Sequence, residues 1–424
     1  MNRHLTLSIA DQGIVSAFNF ALNLYLVRVA APDDFGLFAI VNAASLFAAM
    51  VQNAIVNTPL SVHLPAAHDA DEKSLLLRAF SAVNLALAAC VLLAGAAIMA
   101  WRLGAAGLPV AGCACFYLFS QFIREFHRAQ LAVEGRLAAL LSADAACAAL
   151  SAAALAVLHR LDWPLLSADP QWRIAPSVFL VVGLAGALTA APWIAASFKV
   201  PAYRRLPGEV AQVLKGQLHE IRWSLLGVVT TEIQNRGYLY IAAAVFGPAT
   251  VALLQAGRIL YGPLNLLSAA WARVARPQFA ALIARDDAPG FRRALARAFR
   301  AFAVFNLLFV GALWLAWPVL SPLVFAGKYG ADLAIIVALW GAANLVSQAR
   351  ACLGIGAQAL RRFRALSMAT IAGAAVSLVL VGVACALGRP GWLIAPVIAG
   401  ECVAMIFVLR ILRRGDAPRP AFAA

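Results

Sequence analysis

The stretch RVAAPDDFGLFAIVNAASL, residues 28–46, lies between two long apolar runs and holds an arginine, two aspartates, a proline and a glycine in its first nine residues. Proline interrupts a helix that precedes it, and acidic side chains stabilise the first turn of the helix that follows. We therefore predict that Arg28–Gly36 is a turn between two helices, and that Asp33 or Asp34 caps the second helix. A polar turn between two apolar helices is typical of a chain that crosses a membrane and returns.

The composition of the chain indicates a membrane protein. Of its 424 residues, 63% are hydrophobic and 12% are charged, and the mean hydropathy is +0.83, whereas soluble domains carry about 25% charged residues. Apolar runs of about 20 residues, the length at which a helix crosses a hydrocarbon layer, recur along the sequence. We predict an all-α polytopic membrane protein with twelve transmembrane helices. The spans lie near residues 7–29, 36–60, 80–101, 105–123, 137–159, 175–198, 223–246, 249–271, 301–325, 331–353, 366–387 and 391–411.

The basic residues are distributed unequally between the two sides of the membrane. The net charge is +15, from 34 basic and 19 acidic residues. If the N-terminus is cytoplasmic, 25 basic residues fall on that side and five on the other. This asymmetry follows the positive-inside rule and predicts that both termini are cytoplasmic. Topology thus explains the positive charge, and we predict no nucleic-acid partner.

A basic inner loop divides the twelve spans into six and six. Two halves with the same orientation form a parallel pseudo-repeat, and similar turns precede the second and eighth spans: APDDFGLFAIV at 31–41 and AAVFGPATVALL at 243–254. A further basic amphipathic segment, FRRALARAFR at 291–300, follows the eighth span. The predicted domains are an N-terminal six-helix lobe at 1–198, a cytoplasmic amphipathic linker at 199–222, a C-terminal six-helix lobe at 223–412 and a cytoplasmic tail at 413–424.

The sequence gives little support to an enzyme or a metalloprotein. The seven cysteines lie in apolar runs, and neither they nor the six histidines show the spacing of a metal site. The longest outer loop, residues 160–175, is too short for a catalytic domain. It offers Arg160 and Arg173 but no histidine to a membrane glycan polymerase or ligase. We predict no catalytic residue, no metal and no cofactor.

Polar side chains inside the spans are candidates for function, because they are costly in a membrane. The first span carries a polar stripe that includes Asn19 and Asn23, and the second span has a broader polar face that includes Asn53 and Asn57. Such stripes either line a wet cavity or join helices through hydrogen bonds. The cavity interpretation makes these four asparagines candidates for substrate binding.

The seventh and eighth spans carry cations. Glu232 and Arg236 lie four residues apart, so they either form a structural pair or leave Arg236 for a substrate. Arg258 has no acidic residue at helical spacing. A guanidinium at this depth requires an anion, and its planar shape suits phosphate. The alternative is a carboxylate from another helix, namely Asp144, Glu232 or Glu401.

Further candidates lie near these residues or elsewhere in the spans. Gln255 and Asn265 share the eighth span with Arg258 and complete the predicted substrate-binding set. Arg350, late in the tenth span, is expected to reach the inner interface. Buried carboxylates can bind a coupling proton or sodium ion. The candidates for ion coupling are Glu232, Asp144, Glu401 and Asp11, with helix capping as the alternative role of Asp11.

Three segments resemble one family of transporters. They are ADQGIVSAFNFALNLYLVRVAAPDDFGLFAIV at 10–41, GYLYIAAAVFGPATVALLQAGRI at 237–259 and LSPLVFAGKYGADLAIIVAL at 320–339. In order and spacing they resemble the polysaccharide transporters, the lipid-linked oligosaccharide or O-antigen-type flippases of the multidrug/oligosaccharidyl-lipid/polysaccharide exporter superfamily. The resemblance implies two six-helix lobes around a cationic cavity in a bacterial inner membrane. It also implies a polyprenyl-diphosphate-linked glycan as the substrate, with a polysaccharide polymerase and glycosyltransferases as partners.

The sequence departs from that family in the placement of its cations. Arg28 of the first lobe lies near the outer end, so the central cations, Arg236 and Arg258, belong to the second lobe. The chain is also too short for the fourteen spans of the related peptidoglycan-precursor flippases. We expect a flippase that moves lipid-linked oligosaccharides to the periplasmic leaflet by alternating access. The alternative is a cation-coupled drug or small-solute antiporter of the same superfamily.

Overall fold

The computed structural model describes residues 3–66, 69–104, 107–162, 172–198, 206–360 and 362–413, and in these ranges the chain is helical without any strand. The helices before the middle of the chain are α1 Arg3–Val29, α2 Pro32–Gln52, α3 Thr58–Ala66, α4 Ala70–Leu103, α5 Leu108–Val133, α6 Leu137–Arg160 and α7 Ala175–Phe198. The later helices are α8 Leu206–Phe246, α9 Pro248–Ile259, α10 Gly262–Ala284, α11 Ala288–Phe325, α12 Asp332–Ala359, α13 Phe363–Ala386 and α14 Ile394–Arg413.

These helices form the twelve predicted spans, two of which are broken. A π-helical turn at Asn53–Asn57 joins α2 to α3 in the second span, and a tight turn at Leu260–Tyr261 separates α9 from α10 in the eighth. In the described ranges, seven helices are long and apolar enough to cross a membrane, with α2 and α3 counted as one. The prediction of an all-α polytopic membrane fold is confirmed.

Prolines mark the beginning of several helices. Pro32, Pro248 and Pro289 lie in the first turn of α2, α9 and α11, where the missing N–H would have no partner inside the helix. At the start of α11, Asp287 accepts a hydrogen bond from the Gly290 N–H at 2.8 Å. Local sequence therefore explains where these helices start.

The predicted cap at the start of α2 is wrong. Ala31 occupies the cap position, and no side chain bonds the free N–H groups there. Asp34 is 2% exposed and accepts hydrogen bonds from the N–H groups of Ile174, at 2.6 Å, and Ala175, at 2.8 Å. The carboxylate thus caps α7 instead of its own helix, because the fold brings the first turns of α2 and α7 together.

The described chain divides into two compact units, Met1–Val229 and Thr230–Ala424. In the first unit α5 is central and contacts α2, α3, α4, α6 and α7. In the second unit α12 is central and contacts α9, α10, α11, α13 and α14. These two helices are the fourth spans of their respective halves, as a parallel pseudo-repeat requires.

The region between the halves is helical for most of its length. The helix α8 begins at Leu206, inside the predicted linker, and continues unbroken through the predicted start of the second lobe at 223. Residues 199–205 and 414–424, parts of the predicted linker and tail, lie outside the described residues. The exact domain limits stay a prediction.

In the second unit α13 and α14 cross at two glycines. A Cβ atom at Gly400 would lie 2.5 Å from the carbonyl oxygen of Gly373, and one at Gly373 would lie 2.7 Å from the carbonyl oxygen of Gly400. Only glycine lets the two backbones approach so closely, as is common where membrane helices pack. This crossing fixes α14, which carries Glu401, against the rest of the unit.

Candidate functional site

A polar cavity lies between α10 and α12 in the second unit, with a volume of about 310 Å³. Gln348 Nε2 donates a hydrogen bond to Asn265 Oδ1 at 2.9 Å across this cavity. The Oε1 atom of Gln348 is buried and accepts no hydrogen bond from the described residues. This oxygen is thus an unfilled acceptor beside a cavity whose polar lining suits a ligand that carries hydroxyl or amide groups. Its polar lining residues are Asn265, Ser268, Arg276, Ser347, Gln348 and Gln358.

Arg258 lies just before the break between α9 and α10, and Asn265, which lines the cavity, lies just after it. Tyr261 is fully buried, and its hydroxyl donates to the Val337 carbonyl at 2.8 Å, which fixes the break against α12. Gly262 and the proline after it then start α10. Arg258 occupies the last turn of α9, and Asn265 follows two turns later.

Arg258 is held by aromatic side chains. Its Nη1 atom donates to the Tyr238 hydroxyl at 3.3 Å, and its guanidinium carbon lies 5.3 Å from the centre of the Trp340 ring. The indole N–H of Trp340 donates to the Leu254 carbonyl at 2.9 Å, which fixes the ring. In the described part of the chain, no carboxylate pairs with Arg258. A cation–π contact orients the guanidinium but leaves its positive charge uncompensated.

Arg236 has the carboxylate partner that Arg258 lacks. Its Nη1 atom lies 2.8 Å from Glu232 Oε2, and Tyr240 donates to Oε1 of the same carboxylate at 2.9 Å. Glu232 is 3% exposed, so the pair is well shielded from water. Of the two interpretations left open by the sequence, the structural pair is the one observed, one helical turn apart on α8.

Glu401 on α14 is bound by two other helices. Arg350 on α12 donates from Nε to Oε2 at 2.6 Å, and Gln234 on α8 donates from Nε2 to Oε1 at 2.8 Å. The expectation that Arg350 extends to the inner interface is therefore wrong, because a buried carboxylate stabilises it inside the unit. The interaction joins α8, α12 and α14.

In the first unit, five charged side chains from α1, α5 and α6 form one network. Asp144 binds Arg124 at 2.8 Å and Arg128 at 2.7 Å, and Arg128 also binds Glu125 at 2.9 Å and Asp11 at 3.2 Å. Three carboxylates thus face two guanidinium groups. The Oδ1 atom of Asp11 is buried and has no hydrogen-bond partner among the described residues. This excess of one negative charge makes Asp11 and Asp144 an arrangement able to take up a proton or another monovalent cation.

Sequence analysis missed three members of this network because it ended the fourth span at residue 123. The helix α5 continues to Val133 and carries Arg124, Glu125 and Arg128 on it, whereas we counted the arginines in an inner loop. A signal was present: the spacing of Arg124 and Arg128 is one helical turn, as expected for two cations on one helix face.

The polar faces of the first two spans behave differently. In the first span, Gln12 donates to Ser16 at 3.3 Å and Asn23 donates to the Asn19 carbonyl at 2.8 Å, so the described bonds stay within α1. In the second span, Gln52 is fully buried and donates to Asn84 and to the Phe122 carbonyl on two other helices. Polar side chains of α2 thus join helices through hydrogen bonds. The polar stripe of α1 that includes Asn19 and Asn23 remains a candidate for substrate binding.

The remaining predicted residues lie beside helix breaks. Asn57 donates to Asn53 Oδ1 at 2.8 Å within the π-helical turn, and the Oδ1 atom of Asn57 is buried without a donor from the described chain. Gln255 lies one turn before Arg258, and its Oε1 atom is likewise buried and unfilled in that part of the structure. Both breaks thus carry an amide oxygen that a ligand hydroxyl could satisfy.

The architecture is that of known membrane transporters. No protein-family model matches the chain, and no curated protein matches it. Among solved structures, it is similar to an inward-facing multidrug resistance MATE family transporter of the MOP superfamily, with 16% identity, a TM-score of 0.63 and coverage of 98% of this chain and 99% of that one.

Two further structures share this fold. The lipid II flippase MurJ in an inward closed conformation has 13% identity and a TM-score of 0.64, over 96% of this chain and 87% of that one. The eukaryotic MATE transporter AtDTX14 has 11% identity and a TM-score of 0.55, over 98% and 96%. All three are transporters or flippases and none is an enzyme. At these identities the similarity establishes the fold.

Proposed function

We propose that this protein is a flippase that moves polyprenyl-diphosphate-linked oligosaccharide repeat units from the cytoplasmic to the periplasmic leaflet of a bacterial inner membrane, with both termini cytoplasmic. The observation that carries the proposal is the environment of Arg258. It is a guanidinium within a membrane span, oriented by Tyr238 and Trp340 and without a carboxylate partner in the described residues. A diphosphate is an anion that such a group binds in two-point fashion.

The neighbouring polar groups suit the glycan part of this substrate. Sugar hydroxyls both donate and accept hydrogen bonds, and the unfilled oxygens of Gln255 and Gln348, which lie in the same unit as Arg258, are acceptors. Asn265 lines the polar cavity of this unit. The first unit has its own candidates for binding sugar hydroxyls, namely Asn19, Asn23, Asn53 and Asn57. Arg236 is neutralised by Glu232, so we assign the diphosphate first to Arg258. The polyprenyl tail stays in the lipid, where its transfer costs nothing.

This activity requires one group of enzymes before the transfer across the membrane and another after it. Glycosyltransferases must assemble the lipid-linked glycan before it crosses, and a polysaccharide polymerase consumes it afterwards. Known proteins of the same fold include a lipid II flippase and multidrug transporters, which supports a transport function for this chain but leaves the cargo to be tested.

The test uses purified protein in vesicles that contain a polyprenyl-diphosphate-linked oligosaccharide. Transfer is followed by the access of a membrane-impermeant glycosidase to the glycan. We expect Arg258→Ala to lower the transfer rate at least about tenfold, because it removes a charge-assisted contact with phosphate, and Arg258→Lys to retain part of the rate. Arg285→Gln, an exposed arginine after α10, is the matched control. Unchanged transfer by Arg258→Ala would contradict the proposal.

The alternative is a cation-coupled drug or small-solute antiporter, which the charge network of the first unit favours. Its excess carboxylate, with the unfilled Oδ1 atom of Asp11, is suited to exchange a proton or sodium ion. Under this hypothesis an imposed ion gradient drives a cationic dye across the vesicle membrane, Asp11→Asn abolishes the movement, and Arg258→Ala leaves it unchanged. Dye movement that is independent of the ion gradient, or that persists in the Asp11→Asn variant, would contradict the antiporter hypothesis.

A further inference from the structure

A second cavity of about 550 Å³ lies in the second unit, among α11, α12 and α14, away from the polar cavity. We call it the arginine-rimmed groove. Leu295 and Leu353 in its floor belong to the buried core of the unit, and Phe299, Leu409 and Leu412 pack partly buried beside them. The floor is therefore a preformed apolar surface.

Three arginines line the same groove. Arg292 and Arg300 lie eight residues apart on α11, about 12 Å along the helix axis, and Arg413 comes from the last turn of α14. Arg300 donates to the Ala296 carbonyl of its own helix, at 3.4 Å. None of the three pairs with a carboxylate of the described chain. The groove thus combines an apolar floor with uncompensated positive charge.

The groove lies where α11 changes from basic to apolar. After Arg300, the exposed residues Val304, Leu307 and Leu308 are apolar, with 55%, 60% and 67% of their surface accessible. Such a change is expected at the boundary between the head groups and the hydrocarbon of one leaflet. The arginines therefore lie at the depth of lipid phosphates, and the floor lies beside the acyl chains.

We propose that the arginine-rimmed groove is a binding site for an anionic phospholipid. Its phosphate is bound by Arg292, Arg300 and Arg413, and an acyl chain covers the floor of leucines and Phe299. A zwitterionic lipid brings no net charge to compensate three guanidinium groups, whereas an anionic one does. A free phosphate would leave the apolar floor exposed to water. This site accounts for Arg292 and Arg300 of the basic segment FRRALARAFR and does not depend on the cargo.

The test measures binding of phosphatidylglycerol to the full-length protein by native mass spectrometry, with phosphatidylcholine as the uncharged competitor. The variant Arg292→Gln/Arg300→Gln/Arg413→Gln should lower the affinity for phosphatidylglycerol at least about tenfold. Its matched control, Arg285→Gln/Arg293→Gln/Arg297→Gln, removes the same charge from residues outside the groove and should change the affinity less than about twofold.

Two further measurements separate a lipid site from a phosphate site. Ala296→Trp places a large ring in the groove at an exposed position of α11 and should displace phosphatidylglycerol while all arginines remain. Inorganic phosphate at millimolar concentration should not compete. Equal losses in the two triple variants, or full displacement of the lipid by inorganic phosphate, would overturn the proposal.

Discussion

The two units of the protein treat buried charge in different ways. In the first, Arg124 and Arg128 are bound to carboxylates, which outnumber them by one. In the second, Arg236 and Arg350 each have a carboxylate, whereas Arg258 has polar contacts with a phenol and an indole ring and none with a carboxylate of the described residues. Burial alone therefore does not distinguish a structural charge from a binding one. The presence or absence of a counter-charge is the difference on which we propose that Arg258 binds a ligand, since an unpaired ion away from water is costly unless a ligand supplies its partner.

The largest effect on stability is expected at the centre of the first network. Asp144→Asn leaves both Arg124 and Arg128 short of a partner, so we expect the free energy of unfolding to fall by about 4 kcal/mol. Chemical denaturation of the protein in detergent measures it. Asp162→Asn is the control, because that carboxylate is exposed and lies 3.9 Å from Arg173. Equal, small changes in both variants would show that the network contributes little.

A smaller loss is expected for the comparable pair in the second unit. Glu401→Gln removes the charge that binds Arg350 but keeps the shape of the side chain and its contact with Gln234. We expect about 3 kcal/mol, because only one arginine loses its partner. As a control, Glu134→Gln alters a partly exposed pair with Arg136 at 3.7 Å and should cost below about 0.5 kcal/mol. A loss as large as that of Asp144→Asn would argue that the two units hold charge alike.

Arg258 should separate stability from transport. Arg258→Gln removes a cation–π contact and a long hydrogen bond, which together contribute about 1 kcal/mol. We expect a small change in the unfolding midpoint, together with a loss of glycan transfer in vesicles. A drop in stability near that of Glu401→Gln would mean that Arg258 is structural and that its counter-charge had been overlooked.

The smallest effect on stability is expected at Asp11. Asp11→Asn removes the excess negative charge of the first network and leaves the pairs of Asp144 intact. The change in the free energy of unfolding should stay below about 1 kcal/mol. The variant could even be more stable, since the repulsion between the carboxylates of the network is reduced. The measurement is the same denaturation series. A loss of several kcal/mol would show that Asp11 is an essential partner of Arg128.

Features that depend on local sequence were predictable. Apolar runs set the twelve spans, and prolines with acidic residues mark helix starts. The pair Glu232 and Arg236 lies at one-turn spacing, so the sequence offered it as one of two interpretations. The breaks in the second and eighth spans also have local signals, because Pro59 follows the first break and Gly262 and Pro263 follow the second.

Features that depend on contacts between distant residues were not predictable. Glu401 and Arg350 are 51 residues apart, and nothing in the local pattern of either helix indicates the other. Arg128 and Asp11 are 117 residues apart in the chain. In the sequence alone, an arginine at this position indicates the end of a membrane span, so the predicted span stops before Arg128. The two cavities were not predictable for the same reason, because they arise from packing between helices that are distant in the sequence.

The carboxylate of Asp34 has a consequence for how the first unit is made. Its partners, the N–H groups of Ile174 and Ala175, follow 140 and 141 residues later in the chain. At about 5–20 residues per second, a ribosome needs on the order of ten seconds to deliver them. Throughout that interval the turn between α1 and α2 carries an anion without these two partners. The packing of α1 and α2 in the first unit is therefore complete only after the start of α7 has been synthesised. A nascent chain halted ahead of residue 174 should still expose this turn to protease.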